Sequence, residues 1–139
     1  FDFDGDGKMD VAVFRPSNAT WYIRQSSNNQ IRYGYWGLPT DKIVSGDFDG
    51  DCKTDLAVVR SNTTLEWWIL RSADGGIIYR QFGLPSDIIT SADYNGDGIH
   101  DISVWRPSDQ RFYSLISNNL NVFQFGVSTD KPISSAFAE

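Results

Sequence analysis

The chain has 139 residues, a single cysteine and a formal net charge of −6. This length fits one domain with a real core, and one cysteine excludes an internal disulfide. There is no run of lysine and arginine of the kind that binds nucleic acid, and no apolar stretch of the about 20 residues that a membrane span needs. Eleven of the sixteen aspartates lie in three short segments. The acidity therefore predicts metal ligands, and not a surface for a basic partner.

These three segments begin at Asp2, Asp47 and Asp93, at offsets of 45 and 46 residues, so the chain is three copies of one unit. Each has oxygen-bearing side chains at positions 1, 3, 5 and 9. Calcium loops use this alternation together with a backbone carbonyl at position 7. The predicted ligands are Asp2, Asp4, Asp6, Lys8 and Asp10; Asp47, Asp49, Asp51, Lys53 and Asp55; and Asp93, Asn95, Asp97, Ile99 and Asp101, where Lys8, Lys53 and Ile99 supply main-chain oxygens.

The alternative is an Asp/Gly turn whose side chains only cap their own backbone. We favour about three Ca2+ sites, because like charges packed into nine residues repel unless a cation is present. Calcium accepts six to eight oxygens in loose geometry, whereas magnesium needs a tighter octahedron. Asn95 removes one charge from the third loop. Cys52 replaces the loop glycine of the second at a position expected to need a positive φ, and its thiol is predicted to be free or intermolecular.

Four short apolar runs follow one another in each unit. The first run ends in an arginine at a shared offset from its loop, which predicts a structural ion pair, with a ligand-binding ring as the alternative. The second is aromatic, the third ends in an aromatic-glycine pair, and the fourth leads into the next loop. The predicted strands are 11–15, 56–60 and 102–106; 21–23, 67–69 and 112–115; 31–36, 77–82 and 122–125; and 42–46, 88–92 and 131–135.

No segment has helical periodicity, and β-branched and aromatic residues dominate the runs. Each unit therefore predicts four antiparallel strands in about 45 residues, the size of one β-propeller blade. The predicted fold is all-β, with three four-stranded antiparallel blades and calcium loops in a single repeat domain over residues 1–139. The blades cover about 1–40, 41–86 and 87–129, and residues 130–139 form a strand that completes another blade.

The aromatic side chains favour packing between blades, and a sugar-binding platform at Tyr33, Tyr35 and Trp36 is the alternative. Asn18 and Asn62 begin glycosylation sequons. Because loops of this kind usually need millimolar calcium, the sequons and loops together predict an extracellular or cell-surface location. The only histidine stands beside the loop ligands with no obvious nucleophile, so a Ser-His-Asp or multi-histidine centre is not expected. The chain is predicted not to be an enzyme.

The repeats resemble the FG-GAP/VCBS type found in integrin α-chain propellers and in many bacterial surface proteins. The resemblance rests on the D-x-[DN]-G-D-[GC]-x-x-D loops, the aromatic-glycine pairs and the blade period, and covers essentially the whole chain. It implies a calcium-stabilised β-propeller for adhesion, ligand recognition or assembly, with the loop Asp and Asn side chains as metal ligands and no catalytic centre. Some fungal lectins look similar, which keeps a lectin-like carbohydrate- or protein-binding function as the alternative.

Two features depart from that family. Propellers close with four or more blades, whereas this chain has three units and its first blade has no opening strand. We hypothesise that residues 130–139 of one copy complete the first blade of another copy. This would give a homo-oligomeric ring if the rotation closes and a filament if it does not. The alternative is that the sequence covers part of a longer propeller.

Overall fold

The structure, a computed structural model, describes residues 1–133 and is all-β, as the sequence predicts. Within this range eleven strands form three antiparallel sheets. The first sheet contains β1 (Val11–Arg15), β2 (Thr20–Arg24) and β3 (Ile31–Tyr35); the second contains β4 (Lys42–Gly46), β5 (Asp55–Ser61), β6 (Leu65–Leu70) and β7 (Ile77–Gln81); the third contains β8 (Ile88–Ile89), β9 (Ile102–Arg106), β10 (Arg111–Ile116) and β11 (Asn119–Gln124). In the described part of the chain, no helix has the length and apolar character needed to cross a membrane.

Strand order follows the sequence in every sheet, so each sheet is a simple antiparallel meander. The second and third sheets have the four predicted strands. The first has three, and no strand within residues 1–133 pairs with the outer edge of β1. This confirms the all-β, three-sheet part of the predicted fold.

Several predicted boundaries are wrong. The strand β11 begins at Asn119, three residues earlier than predicted, because Ser117 and Asn118 both have positive φ and form a two-residue turn that extends the pairing to its base. Conversely, β8 has only two residues, followed by an isolated bridge at Ala92. Residues 131–133 lie in no strand, and the rest of the predicted 131–135 strand falls outside the described residues.

The strand β5 explains why an apolar run without alternation occurs in an antiparallel sheet. Its side chains at Leu56 and Val58 belong to a core cluster shared with the first sheet, whereas Ala57 and Val59 belong to a cluster shared with the third. Both faces of the second sheet are therefore buried, and a strand buried on both faces needs apolar residues at successive positions. Trp67 of the cluster shared with the third sheet is fully buried, and its indole N–H donates to the Phe82 carbonyl at 2.9 Å.

Two of the shared arginines form ion pairs with aspartates whose side chains are fully buried. Arg60 donates two hydrogen bonds of 2.9 Å to Asp41, and Arg106 donates two of 2.9 Å to Asp87. This bidentate geometry is the strongest form of the Arg–carboxylate interaction, and the hydrogen bonds to each aspartate raise the pKa of its arginine. The ion-pair interpretation is confirmed for these two. Arg15, the equivalent residue of the first sheet, instead donates to the Tyr22 hydroxyl at 2.8 Å.

The substitution Asp41→Ala is expected to lower the free energy of unfolding by about 3 kcal/mol, because Arg60 loses its carboxylate in a largely buried site and the Leu38 N–H loses its acceptor. The matched control, Asp74→Ala, removes an exposed ion pair with Arg71 and is expected to cost less than about 1 kcal/mol. Urea unfolding followed by tryptophan fluorescence measures both. Equal losses would contradict a structural role for the buried pair.

Candidate metal centre

The first aspartate of each loop shapes the loop's backbone. Both carboxylate oxygens of Asp47 accept backbone N–H groups, from Gly50 at 2.6 Å and from Cys52 at 2.7 Å. Asp2 and Asp93 accept from the residues three and five positions later in the same way. These bonds are the ones expected if the side chains cap their own backbone. Capping therefore accounts for the shape of the loops, but not for the number of like charges in them.

The sixth loop position requires left-handed backbone, as expected from the sequence. Its φ is 81° at Gly7 and 88° at Gly98, and Cys52 adopts 65°. A side chain in this region costs about 1–2 kcal/mol, because the β-carbon crowds the neighbouring carbonyl. The Cys52 thiol is free and exposed.

The last aspartate of the first two loops is buried and joins its loop to a turn of the same sheet. Asp55 accepts the Phe48 N–H at 2.8 Å on one oxygen and the Ser72 N–H at 2.7 Å on the other. Asp10 makes the equivalent pair of bonds at 2.8 and 2.7 Å. Since a buried carboxylate is costly without partners, these bonds fix the position and orientation of the ninth loop residue.

Carboxylates at positions 1, 3 and 9 converge in the first two loops. One oxygen from each lies within 4.8 Å of the other two in the sets Asp2, Asp4 and Asp10, and Asp47, Asp49 and Asp55. The fifth position is turned toward a serine: Asp6 accepts from the Ser26 hydroxyl at 2.9 Å, and Asp51 from the Ser72 hydroxyl at 2.8 Å. The main-chain oxygens of Lys8, Lys53 and Ile99 stay predicted ligands.

The third loop is arranged differently. The Asn95 side-chain amide donates to Asp97 at 2.8 Å, and the loop's carboxylates form no comparable group within residues 1–133. The side chain of Asp101 accepts the Tyr94 N–H at 3.0 Å, and the short Ser117 turn donates no hydrogen bond to it in the described part of the chain. The third loop therefore lacks the support that fixes the ninth position in the other two.

Burial and neighbouring charges oppose ionisation of Asp49, Asp55 and Asp101 and raise the pKa of each. Burial raises the pKa of Asp55 to about 6. Burial, with repulsion from neighbouring aspartates, also raises the pKa of Asp49 and of Asp101. A hydrogen bond from Ser27 lowers the pKa of Asp4, which lies at a more open position. A divalent cation among these groups would offset both the desolvation and the repulsion.

The donor chemistry of the first two loops fits calcium. All converging atoms are carboxylate oxygens, which suit hard cations, and their spread of up to 4.8 Å matches opposite and adjacent ligands of a cation with metal–oxygen distances of about 2.3–2.6 Å. Three carboxylates leave room for a carbonyl and water, as flexible calcium coordination permits. When bound, calcium would supply the positive charge that these residues lack.

Neighbouring loops contact one another through their backbones. The Thr54 N–H of the second loop donates to the Asp2 carbonyl of the first at 2.7 Å, and the His100 N–H of the third donates to the Asp47 carbonyl of the second at 2.6 Å. The three loops therefore form a connected row. The His100 ring packs against Phe48 with centroids 5.8 Å apart, and burial lowers its pKa.

Sequence reasoning missed the turns that support the loops. Besides Ser26 and Ser72, Ser27 donates through its hydroxyl to Asp4 at 2.6 Å, and the Ala73 N–H lies 3.4 Å from Asp49. A signal was present: a serine follows the last loop aspartate by 16 residues in the first unit and 17 in the second. Spacing alone does not show that the turn folds back onto the loop.

The three residues of the candidate ligand platform differ in exposure. Tyr33 and Tyr35 are exposed on the edge strand β3, and Tyr35 is 77% exposed. Trp36 is half-buried between the first two sheets, and its indole N–H donates to the Trp68 carbonyl at 3.1 Å. The sequon residues Asn18 and Asn62 are both exposed.

Residues 47–104 match the family model of the FG-GAP-like repeat. This segment contains the second loop, the strands β5 to β8, the third loop and part of β9, and over these residues the match confirms the resemblance drawn from the sequence. The match is consistent with an FG-GAP-type repeat protein, and such a repeat suggests a β-propeller-type module. Neither the curated proteins nor the solved structures compared with the chain gave a match.

The substitution Ser72→Ala is expected to weaken calcium binding at the second loop by about 10-fold, because residues that orient a metal ligand affect affinity on this scale. The backbone bond to Asp55 is kept, and the hydroxyl bond to Asp51 is lost. Calorimetric titration with calcium measures the change. Ser61→Ala, at an exposed position at the end of β5, is the matched control. Identical titrations for the two variants would exclude this role of the serine.

Proposed function

We propose that this chain is a calcium-stabilised, non-enzymatic β-propeller-type module that acts outside the cell in adhesion and self-assembly. The observation that carries the proposal is the convergence of three carboxylates in each of two successive loops. A single acidic turn would be explained by backbone capping. Two equivalent clusters, each with a buried aspartate and a supporting turn, favour a repeated cation site.

Calcium would act on the connections of the fold. The second loop, one of the two with converging carboxylates, joins β4 to β5 and so closes a hairpin between paired strands. Because the loops are also hydrogen-bonded in a row, fixing one loop restrains its neighbour. The metal's binding free energy would then contribute to folding of the module.

The non-enzymatic part of the proposal rests on the class and on the chemistry of the loops. FG-GAP-like repeats are generally non-enzymatic. The carboxylates that converge would be engaged as calcium ligands, which makes them poor general bases. The extracellular part rests on the millimolar calcium that extracellular modules of this kind encounter. Adhesion is the role that the resemblance to surface-protein repeats implies.

Calcium is expected to raise the melting temperature of the protein by roughly 10 °C relative to EGTA, because each site contributes about 2.7 kcal/mol when calcium exceeds its Kd by 100-fold. The double variant Asp4→Ala/Asp49→Ala removes one converging carboxylate from each cluster and should lose most of this shift. Asp74→Ala, a change of the same type outside the loops, should retain it. A melting temperature unchanged by calcium in the parent protein would refute the metal site.

A lectin-like function is the second candidate, and the exposure of Tyr33 and Tyr35 on one edge strand favours it. If this edge binds sugars by stacking on the exposed ring, a glycan-array signal should fall about 10-fold in Tyr35→Ala, on the scale of the about 1–3 kcal/mol that a nucleobase gains by stacking on an aromatic side chain. Tyr79→Ala changes an exposed tyrosine of the neighbouring sheet and serves as control. Binding that persists in Tyr33→Ala and Tyr35→Ala alike would exclude this edge.

A further inference from the structure

We propose that the third sheet of one copy docks on the first sheet of a second copy, by repeating the contact that joins successive sheets within the chain. The docking places Asp130 of one copy on Arg15 of the other. This inference deepens the assembly part of the proposed function and rests on it. The supporting observation is that the same contact between successive sheets occurs twice within the chain, between the first and second sheets and between the second and third.

Within the chain, the aromatic-glycine pair that follows the last strand of one sheet packs on the second strand of the next sheet. We call this pair the corner of its sheet. A β-carbon on Gly37 would lie 2.9 Å from Val58, and one on Gly83 would lie 3.1 Å from Val104. Val58 and Val104 are both fully buried. The close approach and the positive φ of 95° at Gly37 and 98° at Gly83 together explain the glycine at each corner, since a β-carbon would be strained and would crowd the valine side chain.

The equivalent positions at the two outer sheets are exposed. In the first sheet, Val11 and Val13 stand 45 residues before the buried Leu56 and Val58, yet they are 70% and 58% exposed. In the third sheet, the corner residue Phe125 is 71% exposed. We call Val11, Val13 and Arg15 the acceptor surface, and Phe125, Gly126 and Asp130–Ile133 the donor surface. The residues of the acceptor surface correspond to those of a sheet that packs on its preceding neighbour, and the residues of the donor surface correspond to those of a sheet that packs on its following neighbour.

The charges of these surfaces are also complementary. Asp130 accepts the Val127 N–H at 2.9 Å, as Asp41 and Asp87 accept the N–H three residues before them, but it has no ion-pair partner within residues 1–133. Arg15 likewise has no carboxylate partner in the described part of the chain. Its guanidinium is stacked 4.2 Å above Tyr22, as that of Arg106 is stacked 4.3 Å above Tyr113. The guanidinium of Arg15 thus has the same stacked position as that of Arg106, which binds a carboxylate.

The internal register shows how the two would meet. Lys42 pairs with Val59 and Ile88 with Trp105, which places the preceding aspartate opposite the following arginine in both sheets. The same register on β1 sets Lys131 opposite Phe14 and Asp130 opposite Arg15. The exposed edge of β1 would then gain a backbone partner, as in other cases of strand addition.

Pro132 is compatible with this pairing. Its counterpart in the third sheet is Ile89, and the next residue, Thr90, donates its N–H to Ser103 at 2.9 Å. Because ladder hydrogen bonds alternate along an antiparallel strand, the amide at the Ile89 position faces away from β9. A proline at that position therefore removes no hydrogen bond from the ladder.

Charge reversal tests the contact in solution, with calcium present throughout. Arg15→Asp and Asp130→Arg each place like charges at every such contact, so each variant alone should lose assembly, with a dissociation constant raised about 10-fold or more. In a mixture of the two variants, position 130 of one variant meets position 15 of the other. One such contact pairs Asp130 with Arg15, as in the parent chain, and the other pairs the same charges in reversed positions. Sedimentation velocity should therefore show assembly of the parent chain and of the mixture, but only species of about 15.7 kDa for each variant alone.

Arg32→Asp, at an exposed position on β3, makes the same charge change outside both surfaces and should assemble as the parent does. Val13→Glu tests the apolar part of the acceptor surface and should also reduce assembly. Circular dichroism verifies the fold of each variant, whose changed side chain is exposed. A monomeric parent chain, or variants that assemble alone like the parent, would overturn the inference.

The outcomes separate this inference from the calcium proposal. A parent chain that gains stability from calcium but stays monomeric overturns the docking and leaves the metal sites standing. Assembly that follows the charge-reversal pattern, in a protein whose melting temperature calcium does not change, supports the docking and refutes the metal sites. Failure of the mixture to reassemble, when each variant is folded, would overturn the pairing of Arg15 with Asp130.

Discussion

The structure depends on how the chain accommodates a buried carboxylate at the end of each acidic loop. Asp55 has no accessible surface, and its two oxygens accept one N–H from its own loop and one from the turn after β6. Because burial without these bonds would cost several kcal/mol, the aspartate forces the loop and the turn together. That contact brings the more exposed aspartates into one cluster. The same residue is thus both a fold determinant and the inner member of the candidate metal site.

The rest of the architecture follows from repeating this unit. The second loop leads into β5, which is apolar at successive positions because one face packs on the first sheet and the other on the third. Tryptophan indoles donate to the carbonyl at the end of the outer strand of their own sheet, which connects the sheet's interior to its aromatic-glycine corner. The ion pair of Asp41 with Arg60 joins the start of β4 to the end of β5. At the opposite end of the strands, backbone hydrogen bonds connect the loops of successive sheets.

Much of this could be read from the sequence, because it is encoded by local patterns. The loop spacing, the positive φ at Cys52 and the strands β1, β4 and β9 all depend on residues close together in the chain. Features that depend on distant residues were harder to predict. Trp36 was a candidate for an exposed platform, but Val58 and Trp68 of the next sheet cover one side of it. The early start of β11 came from a turn chemistry carried by Ser and Asn instead of glycine.

The sequence by itself determined the three-fold repeat, the all-β class, the acidic loops and the shared position of the three arginines, since periodicity and turn chemistry act over a few residues. Only the tertiary structure decided which loop carboxylates converge, because the serine turns that orient them lie 16 or 17 residues away. It also distinguished Arg60 and Arg106 from Arg15. All three share one sequence position, but a carboxylate reaches an arginine only when an inner strand is paired beside it.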